Sequence, residues 1–295
     1  MGIELELGLK EPRYLNPLVD YGFKRIFGSE AYKELLIDFL NELIEDQGKI
    51  VSLSYLPPEQ LGQKEEDRKA VFDIYCQTDT AKYFIVELQK VRQAHFKERS
   101  IYYSTFPIQT QAKKGKWDFR LRAVYTIAIM DFILFDDDEN YFHDIKLIEE
   151  STGKVFYDKL VYKYLELPKF TKSINELETN FDRWVYLLKK LPTFENRPPE
   201  LKGKIFDMLF RVADISQLTP EEMEKYKKHI TEYADIQDAM LYEREVAMEK
   251  GRKEGMEKGR EEGMEKAAVN CLKLGMPIEE VVKITGLSRE RIKSL

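Results

Sequence analysis

The sequence predicts an α/β fold, a mixed sheet flanked by helices and followed by an all-helical C-terminal extension. Three observations carry that expectation. Helical and strand-like patterns alternate as helix, strand, strand, strand, helix, strand up to Asp131, the order of a sheet with helices packed on its faces. The run from Arg120 to Asp131 is apolar over most of its length, as a strand covered on both faces must be. Beyond Pro168 every periodic segment has helical spacing.

Residues 15–46 place Phe23, Ile26, Phe27, Leu35, Leu36, Phe39, Leu40, Leu43 and Ile44 at helical spacing, interrupted at Gly28-Ser29. Two helices follow, with Ser29 capping the second. Ile50 to Tyr55 reads as a strand closed by Pro57-Pro58, and a polar loop from Glu59 to Arg68 leads into a hairpin. Phe96, Arg99, Tyr103 and Phe106 then line one stripe of a helix, and Lys146 to Leu167 form a further hairpin turning at Thr152-Gly153. Phe181 to Leu191 and Leu201 to Ala213 are amphipathic helices, and a charged helical pattern starts at Pro220.

That pattern enters a repeat in which Met248-Glu249-Lys250-Gly251-Arg252-Lys253-Glu254-Gly255 is followed by Met256-Glu257-Lys258-Gly259-Arg260-Glu261-Glu262-Gly263. Each glycine costs a helix about 1 kcal/mol relative to alanine. The repeat is therefore either a charged spacer or a helix that pairs closely with a second copy. From Ala267 to Leu295, Gly275 with Pro277 and Gly286 with Ser288 punctuate three short helical stretches. This tail is either a helix-turn-helix, with Arg289, Arg291 and Lys293 facing DNA, or a small oligomerisation bundle. The expected divisions are an α/β domain at 1–195, a helical extension at 196–247, the glycine repeat as helix or linker at 248–266, and the tail at 267–295.

Composition narrows the function. With 295 residues, 43% of them hydrophobic, the chain can bury a large core. Its net charge of −6 argues against a protein that coats nucleic acid by overall charge and leaves room only for a local basic groove. Cys76 and Cys271 build no disulfide framework, and the three scattered histidines lack zinc-ligand spacing. The longest nearly apolar stretch, Ala123 to Met130, falls far short of the ~20 residues that span a bilayer. The first residues lack the basic start and apolar core of a signal peptide, so a cytoplasmic protein is expected.

The chemistry concentrates in the hairpin from Asp73 to Gln89. Side chains alternate along a strand, so Asp73 and Tyr75 share one face with Val71, and Glu87 shares its face with Tyr83, Ile85 and Gln89. A turn centred on Thr80 sets Asp73 opposite Glu87, with Cβ atoms roughly 5 Å apart. At an effective dielectric near 20 two such carboxylates repel by about 3 kcal/mol. A divalent cation removes that cost: Asp73 and Glu87, with the Leu88 carbonyl and waters, form a Mg²⁺ or Mn²⁺ site suited to phosphodiester hydrolysis. The other reading is an exposed sheet face, which the neighbouring apolar and aromatic residues disfavour.

Asp73 followed by Glu87-Leu88-Gln89 resembles the PD-(D/E)XK nuclease signature with glutamine in place of the usual lysine. The run Asn16-Pro17-Leu18-Val19-Asp20-Tyr21-Gly22-Phe23-Lys24-Arg25-Ile26-Phe27-Gly28 and the Glu-x-Gln strand are similar to the Rpn family, recombination-promoting nucleases also classed as transposases. The similarity covers roughly 14–190, and the glycine repeat with Ile284-Thr285-Gly286-Leu287-Ser288 is similar to the tail of many members. The resemblance implies a restriction-endonuclease-like fold and metal-dependent DNA cleavage linked to recombination or mobile elements. Asp73 and Glu87 match its metal-binding acids, and Gln89 matches the position of its lysine.

A neutral amide supplies no positive charge to a transition state. Lys24 and Arg99 are the candidate sources, each with the alternative of an ordinary surface or structural ion pair. Asp20 is either a third metal carboxylate or a first-turn acid complementing its helix dipole. Tyr102 and Tyr103 either touch DNA or pack in the core. The runner-up to a DNA endonuclease is a catalytically weak or inactive nuclease-fold module that binds DNA or protein.

Overall fold

The computed structural model describes residues 12–44, 48–60, 70–112 and 118–295. The start of the chain and most of the polar loop expected at Glu59 to Arg68 lie outside these residues. Two compact units are present, Met1–Tyr233 and Ala234–Leu295.

The first unit opens with α1 (Asp20–Phe27) and α2 (Lys33–Leu43), joined by a short 3₁₀ turn at Glu30–Tyr32. Their apolar faces, Phe23, Ile26 and Phe27 with Leu35, Leu36, Phe39 and Leu40, are buried together. Ser29 does not cap α2 as expected. It precedes the 3₁₀ turn, whose three residues shift the helix start to Lys33 and leave no side-chain cap bond. Gly22 is required by close packing: a Cβ there would sit 2.1 Å from the Asn16 carbonyl oxygen.

The strands are β1 (Leu53–Tyr55), β2 (Glu59–Gln60), β3 (Ala70–Val71), β4 (Ile74–Thr78), β5 (Tyr83–Gln89), β6 (Val124–Met130), β7 (Phe142–Glu149) and β8 (Lys154–Glu166), with α3 (Phe96–Thr110) between β5 and β6. Six of them form one mixed sheet in the order β1-β4-β5-β6-β8-β7, and β2 and β3 form a separate ribbon. β5, β6 and β8 run parallel at its centre, with antiparallel β4 and β7 beside them. All of β6 is buried, as its nearly apolar run, broken only by Thr126, leads one to expect. The turn of β7 and β8 carries Gly153 at φ 67, a left-handed conformation that glycine adopts without strain.

The two sheet faces have different covers. Ile74, Cys76, Phe84, Val86 and Leu88 join the main core with α1, α2, α4 (Asn180–Lys190) and α5 (Lys204–Ala213). Trp184 of α4 lies at the centre of that core, ring against ring with Phe27, Phe39 and Phe206, its Nε1 donating to Asp38 at 2.8 Å. On the opposite face Tyr75 and Ile85 pack with Phe72 and with Phe106 of α3, and Ser100 and Ser104 of α3 bond the hydroxyls of Tyr164 and Tyr162 on β8.

The helix α6 runs from Pro220 to Lys273. Its first turns belong to the first unit, where Glu222 pairs with Arg25 at 2.5 Å, Tyr226 accepts from the Asn16 N–H at 2.9 Å and His229 Nδ1 from the Tyr21 N–H at 3.1 Å. In the second unit, the end of α6 packs with α7 (Ile278–Thr285) and α8 (Arg289–Lys293) around Ala268, Val281 and Ile292. Gly286 ends α7 in the left-handed conformation and Ser288 caps α8, accepting from Arg291 N–H at 3.2 Å. No Cβ position on Gly251, Gly255, Gly259 or Gly263 meets a neighbour within 4 Å. Among the described residues no helix is long and apolar enough to cross a membrane.

Candidate active site

Register is what brings the two acids together. β4 and β5 pair Ile74 with Val86, Tyr75 with Ile85, Cys76 with Phe84 and Gln77 with Tyr83, so one further step sets Asp73 opposite Glu87. The pairing expected for a turn centred on Thr80 is the one observed. The strand itself, however, begins at Ile74, and Val71 does not share the face of Asp73: it belongs to the β2–β3 ribbon and is exposed.

The acids themselves cause that break. Asp73 Oδ2 accepts the Leu88 N–H at 2.7 Å, the donor that a continuing ladder would give to the carbonyl of Phe72. Phe72 turns its own N–H to the Pro58 carbonyl at 3.0 Å. In return the Asp73 N–H donates to Glu87 Oε1 at 3.2 Å. The backbone N–H groups of residues 73 and 88 thus hold the two carboxylates in place of ladder bonds. Because N–H and C=O of one residue share a strand edge, the Leu88 carbonyl lies on the Asp73 side of β5.

Glu87 and Gln89 are buried beneath α3. Gln89 Nε2 donates to Glu87 Oε2 at 3.2 Å, and Gln89 Oε1 accepts from Arg99 Nη2. A neutral amide cannot be turned over in this position without losing both bonds. Arg99, whose Nη1 also bonds Gln93, lies over the rings of Phe96 and Tyr103 at 5.6 and 5.7 Å. The chain Arg99, Gln89, Glu87, Asp73 is therefore continuous from a permanent cation to the acid pair.

The electrostatics follow from burial. Desolvation, then the Asp73 carboxylate, push Glu87 up to about 8, opposed by the Asp73 N–H, Arg99 and Lys24. Desolvation also raises Asp73; the Leu88 N–H and Lys24 act against it and Asp20 with it. Both acids hold protons more tightly than free carboxylates because burial penalises their charged forms by more than the nearby N–H groups and cations recover. Lys24 and Asp20 form an i,i+4 ion pair at 2.8 Å on α1, so the lysine brings its own counter-charge.

Among the described residues no group of three or more histidine, cysteine or acidic side chains is clustered to hold a metal. The donor set present is two hard carboxylates and a backbone carbonyl, which fits an ion such as Mg²⁺ that keeps several waters and takes one or two protein carboxylates. Such an ion would offset the desolvation that raises both acids and the repulsion that Asp73 exerts on Glu87.

The other sequence candidates are dispersed. Tyr103 packs edge-on to Phe72 at 5.3 Å, whereas Tyr102 is partly exposed against Phe106. In the second unit Arg289 pairs with Glu279 at 3.0 Å and Arg291 with Glu265 at 2.6 Å, while Lys293 is exposed.

One buried polar group escaped sequence reasoning. Glu166, at the end of β8, is fully buried and accepts from the N–H groups of Leu134 and Phe135, from His143 Nε2 at 2.9 Å and from Lys169 at 2.5 Å. Burial alone would raise its pKa, but these bonds hold it below the usual carboxylate range. It pins the loop after β6 beside the parallel strand ends. Residues 143 and 166 meet only through the β7–β8 pairing, so no local signal could have found them.

A family model described as PD-(D/E)XK nuclease family transposase matches residues 17–243. No curated protein and no solved structure matches the chain.

Proposed function

The chain belongs to the PD-(D/E)XK nuclease family transposases, and from that premise we propose that it is a metal-dependent DNA endonuclease serving recombination or a mobile element in the cytoplasm. The observation that carries the proposal is the clasp of Asp73 and Glu87 through the N–H groups of residues 73 and 88. It holds two buried acids side by side, an arrangement in which both can ionise together only when a bound cation offsets their repulsion.

Asp73, Glu87 and the Leu88 carbonyl would hold Mg²⁺ or Mn²⁺, with Asp20 as a further carboxylate. When bound, the ion supplies Lewis-acid stabilisation to a phosphodiester and a water of lowered pKa. The chain's own groups do the rest. Gln89 fixes the Glu87 carboxylate in one orientation through Nε2 and passes the polarisation of Arg99 to it through Oε1. Arg99 provides the positive charge that the lysine of the family signature would provide, and Lys24 adds to it from α1.

Arg289, Arg291 and Lys293 serve as DNA contacts in the tail. The ion pairs of Arg289 and Arg291 lie at the surface and are worth little, which lets phosphates replace the glutamates. The unfilled apolar positions and glycines of α6 suit pairing with a second copy of the chain.

Gln89 favours a second reading, a nuclease fold retained for binding DNA or protein with weak or no cleavage. Incubating supercoiled plasmid with the protein and Mg²⁺ or Mn²⁺ separates the two. Nicking by the wild type that is abolished in Asp73→Ala and Glu87→Ala supports the enzyme. Equal nicking by all three, or none by any, sinks it.

A further inference from the structure

At the other end of β5 from Glu87 lies a cavity of about 680 Å³ lined by Lys82, Arg120, Arg122 and Lys159, with Asp118 as its one carboxylate. Four cations against one acid stand out in a chain whose net charge is −6. The four cations come from three parts of the chain, the β4–β5 turn, the segment leading into β6 and the first half of β8, and the end of α3 adds Thr110 and Gln111 to the lining. The topology brings Lys82 and Lys159 to Arg120 and Arg122, which close a basic run in the sequence.

The cavity is also pre-shaped. Gln111 at the end of α3 clamps the Arg122 backbone, accepting its N–H at 2.6 Å and donating to its carbonyl at 3.4 Å. Arg120 is tied to Asp118 at 3.0 Å. Lys82 is half-buried, and desolvation lowers its pKa although Asp79 acts to raise it. An anion entering the cavity would compensate that desolvation. The mixture of guanidinium and ammonium groups suits phosphate oxygens, the first by bidentate bonds and the second as point charges.

We propose that this cavity is a phosphate-binding subsite that holds the nucleic-acid backbone away from the Asp73–Glu87 pair. The proposal rests on the nuclease reading for the identity of its ligand. Lys82 and Glu87 are five residues apart along the hairpin, about 16 Å of extended strand. That distance corresponds to about five nucleotide steps. The subsite therefore sets where a strand is gripped relative to where it is cut.

The test measures binding of a fluorescein-labelled 30-base-pair duplex by anisotropy in EDTA, across a NaCl series, for the wild type, Arg122→Gln/Lys159→Gln and Arg122→Lys. Loss of two phosphate contacts should weaken binding at least about 10-fold and reduce the slope of log K against log salt by about 2. Arg122→Lys should retain most of the affinity, and thermal melts should show all three proteins folded. A double variant with wild-type affinity and slope overturns the proposal, and so does a wild type that binds no duplex. Inorganic pyrophosphate that raises the melting temperature of the wild type but not of the double variant, with duplex binding equal in both, would assign the cavity to a free phosphate compound and overturn the backbone contact. Plasmid nicking keeps the two readings separate. A wild type that nicks while the double variant binds normally defeats only the subsite, and variant-sensitive binding without nicking defeats only the catalytic reading.

Discussion

Arg99 donates a hydrogen bond to Gln89 Oε1, and Gln89 in turn donates to Glu87, so a guanidinium stands one amide away from the buried acid pair. If that relay replaces the family's lysine, Arg99→Ala should lower kcat for plasmid nicking by about 100-fold with little change in KM. Adding Gln89→Lys to Arg99→Ala should recover part of the loss, because it places an ammonium beside Glu87. Single-turnover nicking rates check both. An Arg99→Ala enzyme as fast as the wild type would remove the guanidinium from the mechanism.

Glu87 also predicts a pH dependence of stability. Its folded pKa, raised to about 8 from 4.5 by burial and by Asp73, means that the folded state holds the proton more tightly. Its contribution is full below about 4.5 and is lost as pH rises through about 8. In EDTA the protein should therefore unfold at lower urea at pH 8.5 than at pH 6, and Glu87→Gln should flatten that difference. Divalent cation should restore stability to the wild type at high pH and not to the variant. Identical urea midpoints for wild type and variant at both pH values would refute the burial argument.

Glu166 should behave in the opposite sense. Held below the usual carboxylate range by its partners, it contributes stability that is present above its unfolded pKa and lost on acidification. Glu166→Ala strands Lys169 and His143 with no buried carboxylate and should cost about 3–5 kcal/mol at pH 7. Urea denaturation at pH 7 and at pH 4 reads both the loss and its narrowing in acid.

Gly22→Ala should be among the most damaging conservative changes in the chain. The added methyl would meet the Asn16 carbonyl at 2.1 Å, and backbone cannot yield as a flexible side chain can. A loss of about 1–3 kcal/mol is expected from overpacking, read as a lowered melting temperature. Gly259→Ala, where nothing lies within 4 Å, should instead stabilise α6 by about 1 kcal/mol.

Deletion of 267–295 should weaken duplex binding and reduce its salt slope by about 2–3 if Arg289, Arg291 and Lys293 reach phosphates. A truncated protein with the wild-type slope but an altered mass in solution would return the tail to oligomerisation.

What could be read from the sequence was local. The β4–β5 register follows from two short strands and a polar turn, the burial of β6 from a nearly apolar run, and the stops at Gly275 and Gly286 from residues that tolerate φ near 80 and 69. Arg99 and Gln89 both stand out as residue types, yet nothing in the sequence fixes their contact, which depends on how α3 crosses β5. The late start of β4, at Ile74, was hidden for a related reason. It results from side chains of Asp73 and Glu87 outcompeting backbone for two N–H groups, a choice invisible to periodicity. The basic cavity and the Glu166 cluster were beyond reach because parallel pairing of β5, β6 and β8 brings together residues far apart in sequence.

The sheet therefore assembles its charged centre and its cover on different clocks. Asp73 and Glu87 are joined by the hairpin, a pairing of neighbours that closes in about 1–10 μs. The β5–β6 ladder must wait for a chain closure of some forty residues, from Tyr83 to Val124, and closures of that kind slow folding. While the two acids first meet they are still in water, where their repulsion is about 1 kcal/mol. The larger penalty arrives only when β6 and α3 seal the site. The newly folding protein thus meets its electrostatic problem late, at the step where uptake of a proton by Glu87 or of a cation from solution can offset it.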